Sequence, residues 1–79
     1  MSEIQEQMIR HIHEHGPSAT REMELDEPAH VIGLAATRLR MDGYIERLGR
    51  HCRGSDWQLT RAGAAAARRL MTSMEERKQ

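Results

Sequence analysis

Leu39-Arg40-Met41-Asp42-Gly43-Tyr44-Ile45-Glu46-Arg47 contains the point at which the apolar spacing of this chain changes from helical to alternating. Upstream of Gly43, the residues Ile32, Ala35, Ala36 and Leu39 fall at i, i+3, i+4 and i+7, the spacing of one helix face. That spacing predicts a helix over Ala29 to Asp42, following Pro28 and closed by Gly43, the residue type that best adopts the left-handed conformation just past a helix end. Downstream, Tyr44, Glu46 and Leu48 alternate with Ile45 and Arg47, a period of two that predicts a strand. The turn-rich segment Gly49-Arg50-His51-Cys52-Arg53-Gly54-Ser55 then leads to a second alternating run, Asp56-Trp57-Gln58-Leu59. The expectation is a β-hairpin with a basic tip.

Working outward, Ile4, Met8, Ile9 and Ile12 have helical spacing between Ser2, a plausible N-cap, and Gly16-Pro17, a hard stop, which predicts a first helix of about three turns ending at His15. Ser18 is expected to cap a short second helix over Thr20 to Asp26, carrying Met23 and Leu25 and ended by Pro28, which disfavours the α region for its predecessor. The helix at Ala29 is then the third. Past the hairpin, Thr60 is expected to cap a final helix from Arg61 to about Glu76. The expected core is Ile4, Met8, Ile12, Met23, Ile32, Leu39, Ile45, Trp57 and Leu59.

The composition agrees with a small helical protein. In 79 residues, 38% are hydrophobic, with no Phe, one Trp and one Tyr, so Leu, Ile, Val, Met and Ala must fill the core. One domain over 1–79 is expected, its core spanning about 3–67 and its last helix running to about 76. No apolar run nears the roughly 20 residues a bilayer span needs, and the first ten residues have neither a basic start nor an apolar stretch, so no membrane association is expected and the expected location is cytoplasmic. A single cysteine, Cys52, excludes an internal disulfide. The formal net charge is zero but polarised: residues 1–28 carry seven acids and two bases, residues 29–55 five arginines and two acids.

Three groups of residues carry a family resemblance. Gly16-Pro17-Ser18-Ala19-Thr20-Arg21-Glu22-Met23 resembles the entry to the second helix of a winged helix-turn-helix domain, the opening nonapeptide resembles that family's passage from recognition helix to wing, and Trp57-Gln58-Leu59-Thr60-Arg61-Ala62-Gly63 is similar to its exit from the wing into a closing helix. The resemblance covers roughly residues 3–67. It implies a mainly α fold with a β-hairpin: a three-helix core, a two-stranded wing and a C-terminal helix. It also implies binding of duplex DNA, with the third helix in the major groove and the wing on the backbone or minor groove.

At about 100° per residue, the outer side of Ala29 to Asp42 holds His30, Leu34, Thr37 and Met41, flanked by Gly33 and Arg40 on one side and Arg38 on the other. The resemblance therefore implies DNA contacts from His30, Gly33, Leu34, Thr37, Arg38 and Arg40 on the helix and from Arg47, Arg50 and Arg53 on the wing. Where the family usually presents Ser, Arg, Gln or Asn to base edges, this chain presents Gly33 and Leu34, which can at most approach a thymine methyl. Two functions compete. One is a small prokaryotic or phage transcriptional regulator that binds DNA. The alternative is a winged-helix protein-interaction module, for example a phage-encoded inhibitor of a host complex, using the outward apolar residues Leu34 and Met41.

In the last helix, Gly63, Ala67, Leu70 and Met74 form a narrow apolar stripe flanked by Ala66 and Met71. Leu70, Met71 and Met74 are read as extending past the domain to make a homodimer contact, against the alternative that this helix folds back on the first. Light scattering distinguishes the two. His11 and His15 share a helix face, but two imidazoles do not make a metal site and nothing in the sequence places a third ligand (Glu14, His51 or Cys52) beside them, so a solvated helix end is the preferred reading. Cys52 is read as an incidental surface thiol, with redox sensing as the alternative. There is no nucleophile elbow, phosphate-cradling glycine loop or paired-carboxylate motif, so neither an enzyme nor a cofactor is expected.

Overall fold

The computed structural model describes residues 1–48 and 56–77, with side chains to residue 72. Helix α1 spans Glu3–His15. Ser2 opens it with a reciprocal cap: its hydroxyl accepts from the Gln5 N–H (3.4 Å) and the Gln5 amide oxygen accepts from the Ser2 N–H (2.8 Å). Gly16, at φ +82°, ends it by donating to the Ile12 carbonyl. Met8, Ile9 and Ile12 are its buried face.

Ser18 does not cap a helix. Its N–H donates to the Trp57 carbonyl (3.1 Å) and its carbonyl accepts from the Trp57 N–H (2.8 Å), an antiparallel bridge that leaves its backbone extended. Its hydroxyl donates to the Gly16 carbonyl, and the residue is buried. The expected helix over Thr20 to Asp26 is a single 3₁₀ turn, Thr20–Met23, preceded by Ala19, whose N–H donates to the Glu22 carboxylate. Glu24 in the left-handed region (φ 50°, ψ 42°) stops the turn before Leu25.

Helix α2 spans Ala29–Met41, and in its first turn the Val31 and Ile32 N–H groups both donate to the Pro28 carbonyl. It closes as expected at Gly43, φ +85°. Gly43 donates to the Arg40 carbonyl and Tyr44 to that of Leu39, the paired bonds of a Schellman motif. The turn delivers the chain into strand β1, Ile45–Arg47, which pairs antiparallel with β2, Trp57–Leu59, in the register Ile45 to Leu59, Glu46 to Gln58 and Arg47 to Trp57. The outward pair Glu46 and Gln58 is joined by a side-chain hydrogen bond of 2.9 Å.

Helix α3, Arg61–Arg77, packs along α1. Thr60 caps it, its hydroxyl accepting from the Gly63 N–H and donating to the Gly43 carbonyl. The Thr60 N–H donates to the Tyr44 carbonyl, and a Cβ on Gly63 would stand 1.9 Å from that same oxygen. Only glycine lets the first turn of α3 lie so close to the strand entry.

One core unites Met8, Ile9, Ile12, Met23, Ala35, Ala36, Leu39, Ile45, Trp57, Ala66 and Ala67. Ile4, Ile32 and Leu59, expected among its deepest members, are half-buried. Ile4 and Ile32 lie in the first turns of α1 and α2, and Leu59 ends a two-stranded sheet, so each stands at the margin of what the other elements cover. Ile9, Ala66 and Ala67 take deeper places. Leu70, expected to extend past the domain, packs half-buried against this same core. Met71 is also half-buried, and the side chain of Met74 lies outside the described residues. No helix among the described residues is long and apolar enough to cross a membrane.

Candidate nucleic-acid interface

Ala35, Ala36 and Leu39 hold α2 against the core from behind, and that anchoring decides which residues face out. His30, Leu34, Thr37 and Met41, at i, i+4, i+7 and i+11, form one exposed stripe. Gly33, Arg38 and Arg40 flank it, also exposed. The six α2 residues expected to contact DNA therefore share a single solvent-facing surface on a rigid element.

Their electrostatics are uneven. Arg38 Nε lies 3.4 Å from Asp42 Oδ2, an i, i+4 pair whose side chains remain 69% and 45% exposed. A pair so open to water contributes little to stability, but it directs the Arg38 guanidinium toward the C-terminal end of the helix. Among the described residues Arg40 forms no ion pair. His30 and Thr37 add imidazole and hydroxyl groups, and no Asp or Glu lies within α2.

The strand arginine behaves differently. Arg47 sits opposite Trp57 in the sheet, and its guanidinium carbon lies 4.8 Å from the indole centroid, a cation–π contact that keeps the charge over the aromatic face while the residue stays exposed. Arg50 and Arg53, with His51 and Cys52, lie outside the described residues. The structure thus brings together the α2 residues and separately places Arg47 on the hairpin. Sequence reasoning overlooked two features here. The Arg38–Asp42 pair is signalled by its i, i+4 spacing at a helix end, whereas the Arg47–Trp57 contact depends on the strand register.

The acidic part of the chain occupies other elements. His11 and His15, with ring centroids 4.5 Å apart and planes tilted 40°, line an open groove with Ser18, Glu22 and Glu24. An adjoining groove runs past Gln7, His11, Glu14 and Glu24, and a third past Glu3, Asp26 and Glu27. Among the described residues, no three His, Cys, Asp or Glu side chains converge closely enough to hold a metal ion. Carboxylates thus lie along these grooves of α1 and the segment after the 3₁₀ turn, together with Arg10, while the exposed cations Arg38 and Arg40 lie on α2.

No protein-family model, curated protein or solved structure matches the chain.

Proposed function

We propose that this chain is a winged-helix DNA-binding protein, a small cytoplasmic transcriptional regulator that acts by binding rather than by catalysis. In this reading α2 enters the major groove of duplex DNA and the hairpin meets the sugar–phosphate backbone. The order helix, short turn, helix, hairpin, helix supports it, as does the Ser18–Trp57 bridge that ties the entry of the second segment to the hairpin. The observation that carries the reading is the outer face of α2, where Arg38, Arg40, His30 and Thr37 lie together on a helix fixed from behind. Phosphate contacts from such a face supply affinity, and base contacts supply specificity.

The test is fluorescence anisotropy with a labelled generic duplex at about 50 mM and again at about 200 mM salt. If three phosphates are neutralised, affinity falls about fortyfold between the two conditions. Absence of binding at the lower salt excludes the reading.

A second reading has an observation of its own: Leu34 and Met41 are 69% and 75% exposed on that face. An apolar centre on an otherwise polar surface is also what a protein partner would bury. In that case a complex with a protein forms, Leu34→Glu weakens it, and duplex DNA is not retained.

A further inference from the structure

Among the described residues, the two most exposed large apolar side chains, Met41 and Leu34, stand on the same face of α2, with Thr37 between them. Around them lie His30, Arg38 and Arg40. Asn, Gln and Ser are missing from α2, and Leu34 and Met41 hold the middle and the end of the face where such side chains would read base edges. A basic rim around an apolar centre asks for a polyanion that itself carries apolar groups. In the major groove of duplex DNA the one apolar group on a base edge is the C5 methyl of thymine, and 5-methylcytosine carries the same group at the same position.

We infer that α2 reads C5 methyl groups of pyrimidines in the major groove through apolar contact from Leu34 and Met41. This rests on the DNA-binding reading and gives it a specificity. Leu34 and Met41 are seven residues apart, about 10 Å along the helix. Gly33, beside Leu34, has nothing within 4 Å of where its Cβ would be, so the backbone there is free to approach a groove wall that a side chain would hold off. Arg38 and Arg40 supply the charge that brings the face to the phosphates, and the methyls decide among sequences.

The test uses the full chain and two A·T-rich duplexes of identical sequence, one with thymine and one with deoxyuridine at every thymine position. The second keeps the hydrogen-bonding pattern and lacks only the methyls. Anisotropy at about 50 mM salt is expected to show the thymine duplex bound about fourfold more tightly for each methyl desolvated against Leu34 or Met41. Replacing cytosine by 5-methylcytosine in a G·C-rich duplex is expected to raise affinity in the same sense. In Leu34→Ala the thymine-to-deoxyuridine ratio moves toward one. Salt-sensitive binding of equal strength to both duplexes overturns the methyl readout and leaves the DNA-binding reading standing. A ratio that persists in the Leu34→Ala, Met41→Ala double variant also overturns it, because neither side chain then carries the preference. Retention of neither duplex overturns both readings.

Discussion

Gly33 in α2 and Gly63 in α3 interrupt two helices, and they do so for opposite reasons. At Gly63 an added Cβ would strike the Tyr44 carbonyl, the same oxygen that accepts the Thr60 N–H, so the missing side chain is what lets α3 join the hairpin entry. At Gly33 the space is empty, and glycine inside a helix costs about 0.5–1 kcal/mol relative to alanine with no packing to offset it. The contrast extends to the surfaces around them. Buried positions near Gly63 are explained by the fold, whereas the outer face of α2, with Gly33, Leu34 and Met41, is not. Residues that folding does not explain are where a binding partner is best sought.

The largest test of this contrast compares two leucines on α2, one on each face. Leu39 is 1% exposed and Leu34 is 69%. Leu39→Ala is expected to lose about 2–5 kcal/mol, enough to unfold a domain of this size, while Leu34→Ala stays within about 0.5 kcal/mol of the parent. Urea denaturation followed by circular dichroism measures both. Comparable losses at the two positions would mean that the outer face is buried in the molecule as it exists in solution.

The two glycines come next. Gly63→Ala is expected to cost about 3 kcal/mol, near the upper end for overpacking, because the group it strikes is backbone and cannot rotate away. Gly33→Ala is expected to raise stability by about 0.5–1 kcal/mol. In a domain this small each kcal/mol moves the melting temperature by about 4–8 °C, so thermal melts separate the two variants by sign alone. If Gly33→Ala also destabilises, the outer face contributes to folding after all and the contrast collapses.

What the sequence made legible follows the reach of each interaction. Ser2, Gly16, Gly43 and Thr60 act within a few residues of themselves, and the helix ends they set match the structure. The inward and outward faces of α2 follow equally from the 3.6-residue period. Ser18 was not legible: as a short hydroxyl residue before Thr20 it reads as a helix cap, yet its backbone is paired with Trp57, its hydroxyl donates to the Gly16 carbonyl, and the position before the 3₁₀ turn is taken by Ala19. Periodicity also assigns faces without depth. It places Ile32 with Ala35 and Ala36, but only the overlying elements decide that the alanines are covered and the isoleucine is half-open. For the candidate site, the α2 residues and the Arg38–Asp42 spacing were present in the sequence, and the placement of Arg47 over Trp57 awaited the register.

The smallest effect on stability carries the most information about the surface. Asp42 is the C-terminal cap residue of α2 and the partner of Arg38. Two terms act on it in opposite directions: the exposed i, i+4 pair contributes about 0.3–0.5 kcal/mol, while a carboxylate at a helix C-terminus opposes the helix dipole by a similar amount. Asp42→Asn is therefore expected to change stability by less than about 0.5 kcal/mol, within the range of neutral surface substitutions. Its effect on the proposed DNA complex is larger. Removing the carboxylate takes a negative charge away from the phosphates and releases the Arg38 guanidinium from a local competitor. If Arg38 then gains one phosphate contact, the slope of log affinity against log salt steepens by about 0.9. Affinity at low salt rises with it. An unchanged slope with unchanged affinity would mean that Arg38 does not face the duplex, leaving Arg40, His30 and Thr37 as the polar contacts of α2. A raised affinity with an unchanged slope would assign the gain to the lost repulsion alone.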